Sequence, residues 1–150
     1  MPAKRLLIIA NDLICERPGE LPEDVKQQIR EADEVHVVAP MLTRTLQSWV
    51  SDIDRAALEA DQRMQAVVVD IRASGQEATY GEIGDENELH AVDDALADFP
   101  ADALILAVHA PDVANWHELG FIDHVRARFD LPVTEVRLDR DGHVLSVTTD

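Results

Sequence analysis

Short, unbroken apolar runs alternate along this chain with longer stretches in which apolar residues recur every three or four positions. The first run, Arg5-Leu6-Leu7-Ile8-Ile9-Ala10, lacks polar alternation, which suits a strand buried on both faces of a parallel sheet. It empties into Asn11-Asp12. After a loop containing Gly19, Pro22-Glu23-Asp24 opens a short helix, since proline is tolerated in the first turn and acids there favour the positive end of the dipole. Leu21, Val25 and Ile29 form its apolar stripe. Glu34-Val35-His36-Val37-Val38-Ala39 predicts a second buried strand, stopped by Pro40. A loop carrying Trp49 leads to a long helix over about Ser51 to Ala73. There Ile53, Ala57, Ala60, Met64, Val67 and Ile71 recur at helical spacing and face a sheet.

Gly75 closes that helix, and Ala78-Thr79-Tyr80-Gly81-Glu82-Ile83 reads as a short third strand. Asp85 with Glu88 three residues on resembles a capping box, opening a helix whose buried face is Leu89, Val92, Leu96 and Phe99, ended by Pro100. Ala103 to Val108 is the fourth strand. A fourth helix spans about Asn115 to Phe129, with Leu119, Ile122, Val125 and Phe129 inward. Val133 to Leu138, the pair Asp141-Gly142, and His143 to Thr148 read as strand, tight turn and strand. Four alternations of strand and helix predict a doubly wound α/β sheet of parallel strands with a C-terminal antiparallel addition.

Composition narrows the functional classes. The chain has 150 residues, the size of one domain, with no repeat, linker or low-complexity segment, so residues 1–150 are expected to form a single unit. Thirty acids against 13 bases give a net charge of -17, and no basic block is long enough to track a phosphate backbone; a nucleic-acid partner is not expected. All bases but Lys4 and Lys26 are arginine. Cys15 is the single cysteine, which excludes an intrachain disulfide, and the N-terminus lacks a signal-peptide pattern. No apolar stretch approaches the roughly 20 residues that span a bilayer. A cytoplasmic protein without a membrane partner is expected.

Several features together resemble the universal stress protein family: Asp12 just past the first strand, Gly84-Asp85 before the third helix, Ala101-Asp102 entering the fourth strand, and Leu131-Pro132-Val133 opening the fifth. The Trp49 loop with Ser51-Asp52-Ile53-Asp54, and Val108-His109-Ala110-Pro111 through Asn115-Trp116, are similar to a non-standard branch of that family. The resemblance covers about Arg5 to Asp139. It implies an adenine nucleotide alpha hydrolase-like fold, a five-stranded parallel sheet of order 3-2-1-4-5, and a homodimer formed near the last strand. In that order the carboxyl ends of strands one and four line one crevice, where open α/β sheets bind ligands. In ATP-binding members the acid after strand one and the backbone after strand two contact the nucleoside, positions matched here by Asp12 and by Val38 and Ala39. The departure is the phosphate loop. Those members carry two glycines three apart and then Gly-Ser or Gly-Thr, whereas this region contains only Gly120. Without glycines the backbone loses its close approach to a triphosphate.

The expected cofactor-binding set is therefore Asn11, Asp12, Val38, Ala39, His109, Ala110, Asn115 and Trp116. Asn11 and Asp12 suit either a ribose hydroxyl or an Asx turn. His109 suits a crevice wall whose imidazole bonds a ligand oxygen; a metal site with Asp112 and His117 is disfavoured because no tight two-histidine spacing is present. Trp116 and Trp49 suit either stacking on a base or packing on the sheet edge, and packing agrees better with tryptophan's large area. No Gly-x-Ser-x-Gly elbow marks a serine nucleophile, Cys15 has only Arg17 as a basic neighbour, and Asp52, Asp54, Glu59 and Asp61 read as a solvated helix face. The expected function is a non-enzymatic, ligand-sensing stress-response protein binding an adenine nucleotide or another small ligand, with no catalytic residues and no metal. The alternatives are a ligand-free dimeric adaptor in which Trp116 and Pro111 fill the crevice and, less favoured, a metal-assisted hydrolase.

Overall fold

The structure, a computed structural model, describes residues 5–9, 22–40, 50–73, 75–84, 88–109, 123–139 and 144–149. Side chains are described for these except at 40, 50–56, 63, 84, 88–89, 107–109, 138 and 149. Six strands form one sheet: β1 (Arg5–Ile9), β2 (Glu34–Pro40), β3 (Thr79–Gly84), β4 (Ala103–His109), β5 (Val133–Leu138) and β6 (Val144–Thr149). Their spatial order is β3-β2-β1-β4-β5-β6, the first five parallel and β6 antiparallel to β5. The helices are α1 (Glu23–Glu31), α2 (Val50–Ala73), α3 (Glu88–Asp98) and α4, described over residues 123–128. The doubly wound order 3-2-1-4-5 with its antiparallel addition is the architecture expected from the sequence.

Handedness explains the two layers. Right-handed crossovers moving from β1 toward β3 place their helices on one face, and crossovers moving the other way toward β5 place theirs on the opposite face. The packing follows this rule. On one side Val25 and Ile29 of α1 and Ala60, Met64, Val67, Val68 and Ile71 of α2 meet Leu6, Ile8, Val35, Val37 and Val136. On the other, Ala91, Val92 and Ala95 of α3 and Val125 of α4 meet Leu7, Ile9, Val38, Leu104, Leu106 and Val133. Both faces of β1 and β4 are thus covered, which is why their runs are apolar without alternation. Each fully buried Leu, Ile or Val side chain contributes about 1.5–3 kcal/mol.

Local chemistry sets the element ends. Pro22 stands before α1 with extended backbone, and its carbonyl accepts from Lys26 N at 3.0 Å. Gly75 ends α2 at φ +118°, in the left-handed region that only glycine adopts without strain. Next to it, buried Gln76 donates through Nε2 to the carbonyls of Ile29 (2.8 Å) and Ala32 (2.5 Å) and accepts from Ala78 N at 3.2 Å. One amide therefore satisfies the C-terminal end of α1 and the entry to β3. Asp102, singled out before β4, accepts from Arg5 N at 3.0 Å while its own N–H donates to Arg5 O at 2.8 Å, tying the starts of β1 and β4.

Of the acids expected on the solvated face of α2, the side chains of Asp52 and Asp54 lie outside those described, and Asp61 is half-buried. Glu59 is exposed, yet Leu58 and Val69 also face solvent at 58% and 61% exposure. Periodicity identified the inward stripe and left these outward apolar residues unassigned. No helix among the described residues is long and apolar enough to cross a membrane.

Candidate functional site

The order of the strands creates the candidate site. Chain direction reverses across the sheet at β1, which pairs with β2 on one side and β4 on the other. Ile9, the last residue of β1, lies level with Val38 of β2 and Leu106 of β4. Beyond that level β2 continues through Ala39 and Pro40, paired with Ile83 and Gly84 of β3. On the far side β4 continues through Ala107, Val108 and His109, paired with Val136, Arg137 and Leu138 of β5. Among the described residues β2 and β4 are followed two and three residues past the level of Ile9, and the carboxyl ends of β1 and β4 stand side by side at the switch point, where open α/β sheets receive ligands.

Three of the eight expected binding residues are described, and all lie on this rim. Val38 and Ala39 are buried, their side chains turned to opposite faces of the sheet, so a ligand at the rim meets their backbone rather than their side chains. His109 is the terminal residue of β4, one residue beyond the predicted end of the strand. Asn11, Asp12, Ala110, Asn115 and Trp116 lie outside the described residues, as do Trp49, Pro111, Asp112, Gly120 and His117. Among the described residues, no group of three His, Cys, Asp or Glu side chains is placed to hold a metal. A described concavity lies elsewhere: an open groove of about 550 Å³ along the outer face of α2, lined by Gln62, Gln65, Ala66, Val69, Asp70 and Ala73. It is mostly apolar, includes no rim residue, and lacks the convergent polar groups that orient a small ligand.

Two polar clusters on the α3/α4 face were not anticipated. Glu135 of β5 is buried, and its carboxylate accepts from Arg126 Nη2 of α4 at 2.6 Å and from Arg137 Nε and Nη2 at 3.1 and 2.8 Å. Each carboxylate oxygen faces one guanidinium, an arrangement that compensates its desolvation. On β2, the His36 ring stacks on Phe99 at 5.1 Å with planes 24° apart, and its Nε2 lies 3.2 Å from Glu82 Oε1, outside hydrogen-bond geometry. The signal for both was a polar residue interrupting an apolar strand: Glu135 within Val133 to Leu138, and His36 within Val35 to Ala39. On the surface Arg128 bonds Asp93 at 2.8 Å, joining α4 to α3. That hydrogen bond, reinforced by the aspartate's charge, raises the guanidinium's pKa above its ordinary value.

By sequence the chain matches no protein-family model and no curated protein. By structure it is similar to a universal stress protein crystallised in complex with cAMP, with a TM-score of 0.53 over 91% of this chain and 98% of that one, at 13% identity. This chain has the universal stress protein fold. The fold resemblance and the sequence features from Asp12 to Val133 thus converge, although sequence identity is low.

Proposed function

We propose that this chain is a universal-stress-protein-like, non-enzymatic domain that senses a small ligand in the cytoplasm, acting as a homodimer in a stress response. The ligand is a nucleotide held at the carboxyl ends of β1 and β4, with Asn11 and Asp12 toward the ribose, the backbone of Val38 and Ala39 toward the base, and His109, Ala110, Asn115 and Trp116 closing the other wall. The observation that carries this reading is the switch point at β1, whose carboxyl end at Ile9 lies between Val38 of β2 and Leu106 of β4. The structural neighbour supports it, since a protein of the same fold is found in complex with cAMP. A cyclic mononucleotide carries one phosphate. Such a ligand needs no glycine cradle for a triphosphate, which agrees with the single glycine, Gly120, between Val108 and Pro132.

Native mass spectrometry of freshly purified protein, followed by equilibrium dialysis against cAMP, AMP, ADP and ATP, tests the proposal. The expected result is binding of a mononucleotide in preference to ATP, weakened at least tenfold by Asp12→Ala while the thermal midpoint is kept. A protein that purifies empty and binds none of the four overturns the nucleotide reading and favours a ligand-free adaptor.

A further inference from the structure

The chain holds 13 bases against 30 acids, yet it commits two arginines to one buried carboxylate. Arg126 of α4 takes Glu135 Oε1, and Arg137 takes Oε2 through Nε and Nη2, the two nitrogens of its lateral edge. Elsewhere among the described residues Arg5, Arg30 and Arg128 each face a carboxylate of their own, and Arg72 is spent on the carbonyl of Thr79 at the amino end of β3. Only at Glu135 does one negative charge face two positive ones. A guanidinium has five N–H donors in a fixed plane, and Glu135 uses one edge of Arg137. The other edge, formed by Nη1 and the second N–H of Nη2, has no partner among the described residues. With its side chain 26% exposed, Arg137 is reachable from solvent, while its charge is less screened than on an open surface.

Register places this arginine beside the crevice. Glu135 is level with Leu106 of β4, and Leu106 with Ile9 of β1. Arg137 stands two residues nearer the carboxyl ends, about 7 Å along the strand, level with Val108 and next to the His109–Leu138 pair. Since β5 adjoins β4 and β4 adjoins β1, the line of β5 runs about 10 Å from that of β1. Alternation puts Arg137 on the face of Val133 and Glu135, against which Val125 of α4 packs.

We propose that Arg137 is the phosphate-binding group of the crevice, its outer guanidinium edge bonding two oxygens of a ligand phosphate. The inference rests on the nucleotide reading above and names what replaces the glycine cradle. A planar fork meets a phosphate with paired, charge-assisted hydrogen bonds and needs no close approach of the backbone. Glu135 orients that fork. Arg126, by taking the other carboxylate oxygen, leaves the charge of Arg137 only partly balanced. A molecule of charge -17 repels an anionic ligand unless a local cation meets it, and Arg137 is that cation. A role confined to balancing Glu135 would instead affect stability and leave ligand choice untouched.

Equilibrium dialysis against AMP and adenosine isolates the phosphate, because the two share a nucleoside. Wild-type protein is expected to bind AMP at least tenfold more tightly than adenosine. Arg137→Gln is expected to bring the two affinities together without changing that for adenosine, and Arg137→Lys, which keeps the charge but not the fork, to retain part of the preference. The Arg137 Nε–H signal in a nitrogen-correlated NMR spectrum, assigned by its disappearance in either variant, is the second readout. Inorganic phosphate is expected to shift it saturably, and sodium chloride at equal ionic strength is not. An AMP preference that is absent from wild type, or that survives Arg137→Gln, overturns the subsite and leaves the nucleotide reading standing. If neither AMP nor adenosine binds but phosphate shifts the Arg137 signal, the nucleotide reading falls and the subsite stands, for a phosphorylated ligand of another kind. No nucleotide binding together with no response to phosphate overturns both.

Discussion

Gly81 carries more structural weight than its place in a short edge strand suggests. A Cβ built there would overlap Met64 Sδ and Cγ and lie 2.8 Å from Val68 Cγ2, so the glycine is what lets α2 seat against β3. Gly81→Ala is expected to cost about 1–3 kcal/mol, the usual range for overpacking a filled core, measured by urea unfolding. Paired with Met64→Ala, its loss should fall short of the sum of the two single losses, because one substitution makes the room the other needs; full additivity would mean that the two do not touch. Glu135 teaches a complementary lesson. From the sequence alone it is one polar residue in a strand, and nothing in Val133 to Leu138 announces that Arg126, on a helix nine positions earlier, closes over it. The same holds for His36 and Phe99, which are 63 positions apart and stack because β2 and the end of α3 meet.

At the scale of elements, the junction between α1, α2 and β3 depends on Gln76. Its Nε2 serves two carbonyls at the end of α1 and its Oε1 serves the amide of Ala78, while Arg72 donates to Thr79 O at 2.9 and 2.6 Å beside it. Gln76→Ala is expected to cost about 1–3 kcal/mol, because buried carbonyls lose their donor, and to speed hydrogen exchange at the Ala78 amide. Gln76→Glu should be worse than alanine, since a carboxylate would face the two carbonyls that the amide now donates to. An equal or milder effect of glutamate would show that these carbonyls are satisfied by other means. The helix and strand limits themselves were largely legible: β5 has the predicted bounds, and β2, β3, β4 and β6 differ from prediction by a residue at one or both ends. Ends moved where ladder pairing, rather than residue type, decides them. His109 joins β4 because Leu138 is there to pair with it.

For the whole molecule, net charge is the dominant long-range term. Exposed pairs such as Arg128–Asp93 and Arg30–Glu23 each contribute little, whereas 17 unbalanced negative charges repel throughout the fold. Raising sodium chloride from about 50 mM to about 1 M shortens the screening length from beyond 10 Å to about 3 Å and is expected to raise the thermal midpoint by several degrees. A fall in the midpoint would mean that the ion pairs, Glu135 with its two arginines among them, outweigh the repulsion.

Hydrophobic periodicity by itself pointed to the class of this protein: apolar runs without alternation suit strands buried on both faces, and their alternation with amphipathic helices argues for a parallel α/β sheet. The strand order, and with it a crevice at the carboxyl ends of strands one and four, came from the resemblance to universal stress proteins. The register that sets Ile9 level with Val38 and Leu106, the closure of Arg126 and Arg137 on Glu135, and the edge position of β6 were decided only in three dimensions. Each depends on which residues stand opposite one another across strands far apart in the chain, and a one-dimensional pattern carries a residue's own preference for burial but not the identity of its partner.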